Sequence, residues 1–194
     1  MQAVGDARLT VSEAAFVIGV DKKVIDREVD GRIIPSKGKG DERRLEGSDL
    51  YYLCSIKHDR SDLGTGFRKK LRRQFWEAVA NQEPEVVFGV FHIILSELES
   101  DFLDRFRALE AARNRYIEQK PGVVGGEPVI KGTRLAVRYI ADLLKQGATK
   151  AELREEFDLT DAQIDAAALY DKVTPRRGRP ATKLKRTVHV PVAG

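Results

Sequence analysis

Residues 10–30, TVSEAAFVIGVDKKVIDREVD, decide how this chain is read. Thr10 and Glu13 form a Thr-x-x-Glu capping box just ahead of the apolar run Ala14–Ile18, which marks a helix start. Gly19-Val20 breaks that helix. Asp21 is placed to cap a second helix running to about Asp30, with Val24, Ile25 and Val29 as its inner face. Gly31 ends it. Beyond it, Ile33-Ile34-Pro35 reads as a short extended piece and Ser36–Asp41 (SKGKGD) as a Gly/Lys tip. Arg43-Arg44-Leu45 returns from the tip, and Ser48 caps a third helix through Leu50, Leu53 and Ile56.

Helix, turn, helix, basic hairpin and helix describe a winged helix-turn-helix over residues 1–60. A helix of this kind fits the major groove of duplex DNA, and a hairpin wing reaches the neighbouring backbone. The candidate DNA-contacting residues are therefore Lys22, Lys23 and Arg27 on the second helix and Lys37, Lys39, Arg43 and Arg44 on the wing. The same motif also serves as a protein-interaction module with cations that only solvate a face. Asp26, Glu28 and Asp30 count against DNA, and residues 1–60 hold eleven basic and eleven acidic side chains. Because one such unit binds DNA weakly, a dimer is expected.

Residues 61–120 read as a middle helix–strand–helix segment. Asp59–Gly66 is polar and suits a linker. Phe67, Leu71, Phe75 and Val79 recur every four residues and predict an amphipathic helix ending near Asn81. Glu85–Leu95 (EVVFGVFHIIL) predicts one strand with a bulge at Gly89. Ser96 then opens a long helix to about Tyr116, with Leu98, Phe102, Phe106 and Leu109 as its apolar stripe.

Residues 121–171 read as a helical bundle. Two prolines and four glycines between Pro121 and Gly132 predict turns around a short Val129–Lys131 strand. A helix from Val137 to Gln146 follows. Thr149 with Glu152 and Thr160 with Gln163 are capping boxes for two more, ending near Phe157 and Asp171. The last two again look like helix-turn-helix, yet Thr160–Tyr170 holds no Lys or Arg, and Asp161 and Asp165 would repel phosphate. Packing or dimerisation suits that helix better. The expected fold class is mainly α with small β elements: an N-terminal winged helix-turn-helix and a C-terminal helix-turn-helix-like bundle.

The charge is localised. Residues 172–194 carry seven Lys/Arg and no Asp or Glu, so the remaining body has 27 basic against 30 acidic residues. A basic tail of this kind suits an anionic surface, either DNA or an acidic active site. No run approaches the ~20 apolar residues a bilayer requires, and MQAVGDARLT lacks a basic and then apolar leader, so a cytoplasmic protein that does not engage membranes is expected. The single cysteine, Cys54, forms no internal disulfide. No phosphate-binding loop, dinucleotide fingerprint, nucleophile elbow or metal-ligand cluster is evident, and neither catalysis nor a metal or other cofactor is expected.

Gly125-Gly126-Glu127-Pro128-Val129-Ile130-Lys131-Gly132-Thr133-Arg134, the three helices after it and Pro175-Arg176-Arg177-Gly178-Arg179-Pro180 resemble domain-of-unknown-function family 433. The resemblance spans roughly residues 115–180, and that family looks like VapB-type antitoxins. The N-terminal unit resembles MerR-like winged helices in a generic way. The resemblance implies a VapC-like partner, a toxin ribonuclease of PIN type with clustered active-site carboxylates. It also implies operator binding by the antitoxin, as a homodimer inside a hetero-oligomer. The tail residues Arg176, Arg177, Arg179, Pro180, Lys183, Lys185 and Arg186 are the candidate toxin-binding set. Arg-Gly-Arg-Pro also resembles an AT-hook core, in which arginines enter a narrow minor groove; the family resemblance favours the toxin over DNA, and an unengaged, solvated tail is the third reading. A MerR-like transcription regulator without a toxin partner is the alternative for the whole chain.

Overall fold

The computed structural model describes residues 2–36, 43–121 and 123–174. The chain is mainly helical, with small antiparallel sheets. In order, its elements are α1 (Gln2–Gly5), β1 (Arg8–Thr10), α2 (Val11–Ile18), α3 (Lys22–Asp30), β2 (Arg44–Glu46), α4 (Ser48–Ile56) and α5 (Thr65–Ala80). Then come β3 (Glu85–Phe88), β4 (Phe91–Ile94), α6 (Leu95–Ala111), β5 (Ile117–Glu118), β6 (Val129–Ile130), α7 (Val137–Lys145), α8 (Lys150–Phe157) and α9 (Asp161–Val173).

The helix starts follow from capping chemistry. The Glu13 amide donates to Thr10 Oγ1 at 3.1 Å and the Thr10 amide to Glu13 Oε2 at 2.7 Å, closing the capping box of α2. Gly19 ends α2 with φ +79°, a conformation that suits a residue without Cβ. The Lys23 amide donates to Asp21 Oδ1 at 2.8 Å and caps α3. Capping boxes at Thr149/Glu152 and Thr160/Gln163 open α8 and α9. Arg105 of α6 donates from Nε to the Val17 carbonyl at 2.6 Å, so a distant side chain serves the last turn of α2.

Three local expectations are corrected. The strand returning from the Gly/Lys tip does not pair with Ile33-Ile34. Both of those amides donate to the Glu28 carbonyl, at 2.9 and 3.2 Å, and thereby finish α3. β2 pairs instead with β1, antiparallel, in the register Arg8↔Glu46, Leu9↔Leu45 and Thr10↔Arg44. Ser48 does not cap α4: Gly47 occupies that position, and Ser48 is the first helical residue, buried. A Cβ on Gly47 would lie 1.6 Å from the Val4 carbonyl oxygen, so the close approach of the N-terminal segment demands glycine there. Finally, Glu85–Leu95 is not one bulged strand. Gly89, with φ +64°, and Val90 form a two-residue turn, and β3 and β4 pair from Glu85↔Ile94 to Phe88↔Phe91.

Two apolar cores result. The first takes Leu9, Val17, Ile25, Leu45 and Tyr51 from the N-terminal segment and Phe75, Val86, Leu95, Phe102 and Leu109 from the middle one. It runs across residue 60, and Tyr51 meets Phe102 edge-on at 5.3 Å. The second gathers Ile117, Ile130, Val137, Ile140, Leu153, Leu159, Ile164 and Ala167. α9 joins the two. It reaches Val173, which is buried in the first core, and places the Lys172 ammonium 5.6 Å from the Phe16 ring centre. Lys172 thus belongs to a packed helix and is not part of the tail. The Ala166-Ala167 face of α9 is buried within the chain itself.

Candidate nucleic-acid interface

The site is organised by α3. Ile25 and Val29 are buried on its inner face, while Lys23 and Arg27, four residues apart, lie on one exposed stripe. The three acids of α3 are each engaged. Asp26 pairs with Lys22 at 3.6 Å and with Arg43 at 2.5 Å. Asp30 receives the other arm of the Arg43 guanidinium at 2.7 Å. Glu28 is wholly buried.

Around Glu28 the contacts are dense. One carboxylate oxygen accepts from Arg60 Nε at 2.5 Å and from Arg68; the other accepts from the Tyr52 hydroxyl at 2.6 Å. A charge this deep is tolerated only when it is paired and hydrogen-bonded. Burial, and then the Glu28 carboxylate, hold the Tyr52 phenol well above the ordinary tyrosine range, so it remains a donor. A second buried acid, Asp49, accepts from Arg72 Nε at 2.8 Å and from the Glu46 amide at 3.1 Å. Burial pushes its carboxyl upward against the pull of Arg72.

The acids that weakened the sequence argument are thus compensated internally. Arg43 acts as a latch between the return of the Gly/Lys tip and α3. Arg44 lies on the outer face of the β1–β2 ribbon, exposed. Lys37 and Lys39 lie outside the described residues, as do Arg176, Arg177, Arg179, Pro180, Lys183, Lys185 and Arg186. Sequence reading missed the Glu28 cluster. Its one signal was position: Glu28 falls three residues after Ile25 and beside Val29, on the inner stripe. Arg60 and Arg68, 32 and 40 residues further on, gave none.

Among the described residues, no group of three or more His, Cys, Asp or Glu is placed to hold a metal ion. No helix among them is long and apolar enough to cross a membrane.

Comparison with known proteins adds the following. The chain is 28% identical over 185 residues to the uncharacterized protein y4eO of Sinorhizobium fredii, covering 88% of this chain and 83% of that protein. The crystal structure of Rv2018 from Mycobacterium tuberculosis aligns at 14% identity with a TM-score of 0.34, covering 81% of this chain and 96% of that one. Residues 117–170 match the family described as "Protein of unknown function (DUF433)". That segment holds every residue of the second apolar core, and residues 117–170 of this chain are therefore a DUF433 domain.

Proposed function

We propose that this protein is a DNA-binding antitoxin: its N-terminal unit acts as a winged helix-turn-helix on operator DNA, and its C-terminal part restrains a VapC-like ribonuclease. One observation carries the DNA half. The acids of α3 are paired or buried within the protein, and Lys23 and Arg27 are the cations on the exposed stripe. A helix so arranged offers its cations to phosphate and base edges while its carboxylates are paired with cations of the protein itself or buried. Two copies would set two α3 helices into successive major grooves. The toxin half rests on the resemblance of roughly residues 115–180 to the antitoxin-like family and on the six cations of residues 175–194. Guanidinium groups pair bidentately with the clustered carboxylates of a metal-dependent nuclease.

The test has two arms. Binding to duplex DNA from the upstream region of the protein's own gene is measured against salt. Lys23→Ala with Arg27→Ala should flatten the slope of log K against log salt by about 2; an unchanged slope refutes reading by α3. Co-purification with the product of the neighbouring reading frame tests the toxin arm. There, deletion of residues 174–194 should release ribonuclease activity while the rest of the chain keeps its fold. Duplex binding with no such partner would leave a MerR-like regulator.

A further inference from the structure

A cleft of about 350 Å³ lies between the β1–β2 ribbon and α5. Leu9 and Leu45 point into the core, so by strand alternation Arg8, Arg44 and Glu46 stand on the outer face. From α5, Arg72 and Trp76 face them, and Pro35 closes one side. A second hollow of about 340 Å³ shares Arg8, Glu46 and Trp76 with it and is lined also by Asp6 and Ser48. Ser48 is 4% exposed, and its hydroxyl has no hydrogen-bond partner among the described residues. Buried hydroxyls are nearly always satisfied, so this one marks a place where a partner is missing.

The chemistry of the lining is specific. In the first cleft three guanidinium groups face one carboxylate, Glu46, and Asp6 adds a second on the wall of the hollow. Glu46 is already engaged, accepting from Trp76 Nε1 at 2.9 Å and pairing with Arg8 at 3.5 Å. Arg72 spends its Nε on Asp49, which leaves its terminal nitrogens for another acceptor. Arginines in such a fork select an anion of phosphate geometry. The Trp76 indole, 45% exposed, offers a flat ring beside them.

We propose that this cleft binds a nucleotide unit, with the phosphate among Arg8, Arg44 and Arg72 and the base against Trp76. A base amine or sugar hydroxyl would then satisfy Ser48. The unit comes either as a free nucleotide or as part of a nucleic-acid strand. The site is separate from the exposed stripe of α3 and does not rest on duplex binding by that helix.

Trp76 is the only tryptophan in the chain, so its emission reports on the cleft directly. The full-length protein is titrated with AMP, with inorganic phosphate as competitor and oligo(dT) as the strand arm. AMP should quench the emission saturably and phosphate should reverse the quench. Arg44→Gln, at an exposed strand position, should weaken binding roughly tenfold with an unchanged melting temperature. Quenching by oligo(dT) alone, with the same loss in Arg44→Gln, supports the site and identifies a strand as the source. No quench by either probe overturns the proposal. So does a quench that Arg44→Gln leaves intact, or one that Lys23→Ala with Arg27→Ala abolishes. That double variant separates this site from α3: it should lose duplex binding and keep the AMP response.

Discussion

The Tyr52 hydroxyl donates to the Glu28 carboxylate at 2.6 Å inside the protein, joining α4 to α3. Arg60 and Arg68 hold the other oxygen, so the face of α3 turned away from Lys23 and Arg27 is tied to three later segments. Glu28→Gln removes the charge and strands two guanidiniums in a largely buried setting. We expect a loss of about 3 kcal/mol in urea unfolding. A midpoint unchanged from the parent protein would show that the cluster contributes nothing to stability.

Arg43 predicts an effect on DNA without a contact to DNA. It spans Asp26 and Asp30 at 2.5 and 2.7 Å and cancels acid beside the exposed stripe of α3. Arg43→Ala releases both carboxylates toward the approaching phosphates. Duplex affinity at low salt should fall roughly tenfold, with part of the loss restored in the triple variant that adds Asp26→Asn and Asp30→Asn. If removing the two acids restores nothing, Arg43 touches DNA itself.

Gly47 is a steric requirement. A methyl group there meets the Val4 carbonyl, and the Gly47 amide donates to the Ala7 carbonyl at 2.9 Å, so the backbone cannot simply swing away. Gly47→Ala should cost about 2 kcal/mol and free the N-terminal segment to early proteolysis. Gly64→Ala, where an added Cβ meets nothing within 4 Å, is the control in the same melting experiment.

Cys54 should be inert near neutral pH. Its thiol lies buried near the Leu98 carbonyl and Asp101, and burial pushes it up to about 11 from 9.0. A raised thiol value means less thiolate at any given pH below it, by about a hundredfold at pH 8. Reaction with a disulfide reagent should be slow in the folded protein, accelerate toward pH 11 and become fast in denaturant. Rapid labelling at pH 8 without denaturant would show that α4 opens around this residue.

Much of the local structure is legible in the sequence. Three capping boxes, one capping aspartate and the apolar spacing of α5 and α6 located helix starts and inner faces, because each signal closes within a few residues. The basic return strand and the Glu85–Leu95 run were misassigned for the opposite reason. Residues 33–34 looked like the partner of residues 43–45 until the Glu28 carbonyl took both amides, and a glycine within an apolar run suits a bulge or a turn equally well. Of the candidate interface, the cations of α3 were visible in the sequence, but the fate of its acids was not.

The sequence by itself determined where helices begin and which faces are apolar, since caps and periodicity act through bonds and contacts three or four residues apart. Tertiary structure alone decided that Glu28 is buried against Arg60 and Arg68, that Arg43 clasps Asp26 and Asp30, and that Trp76 lines one cleft with Arg8 and Arg44. Those pairings join segments 13 to 68 residues apart, and every charged side chain had many possible partners. Only the packed core, by fixing which faces meet, selects among them.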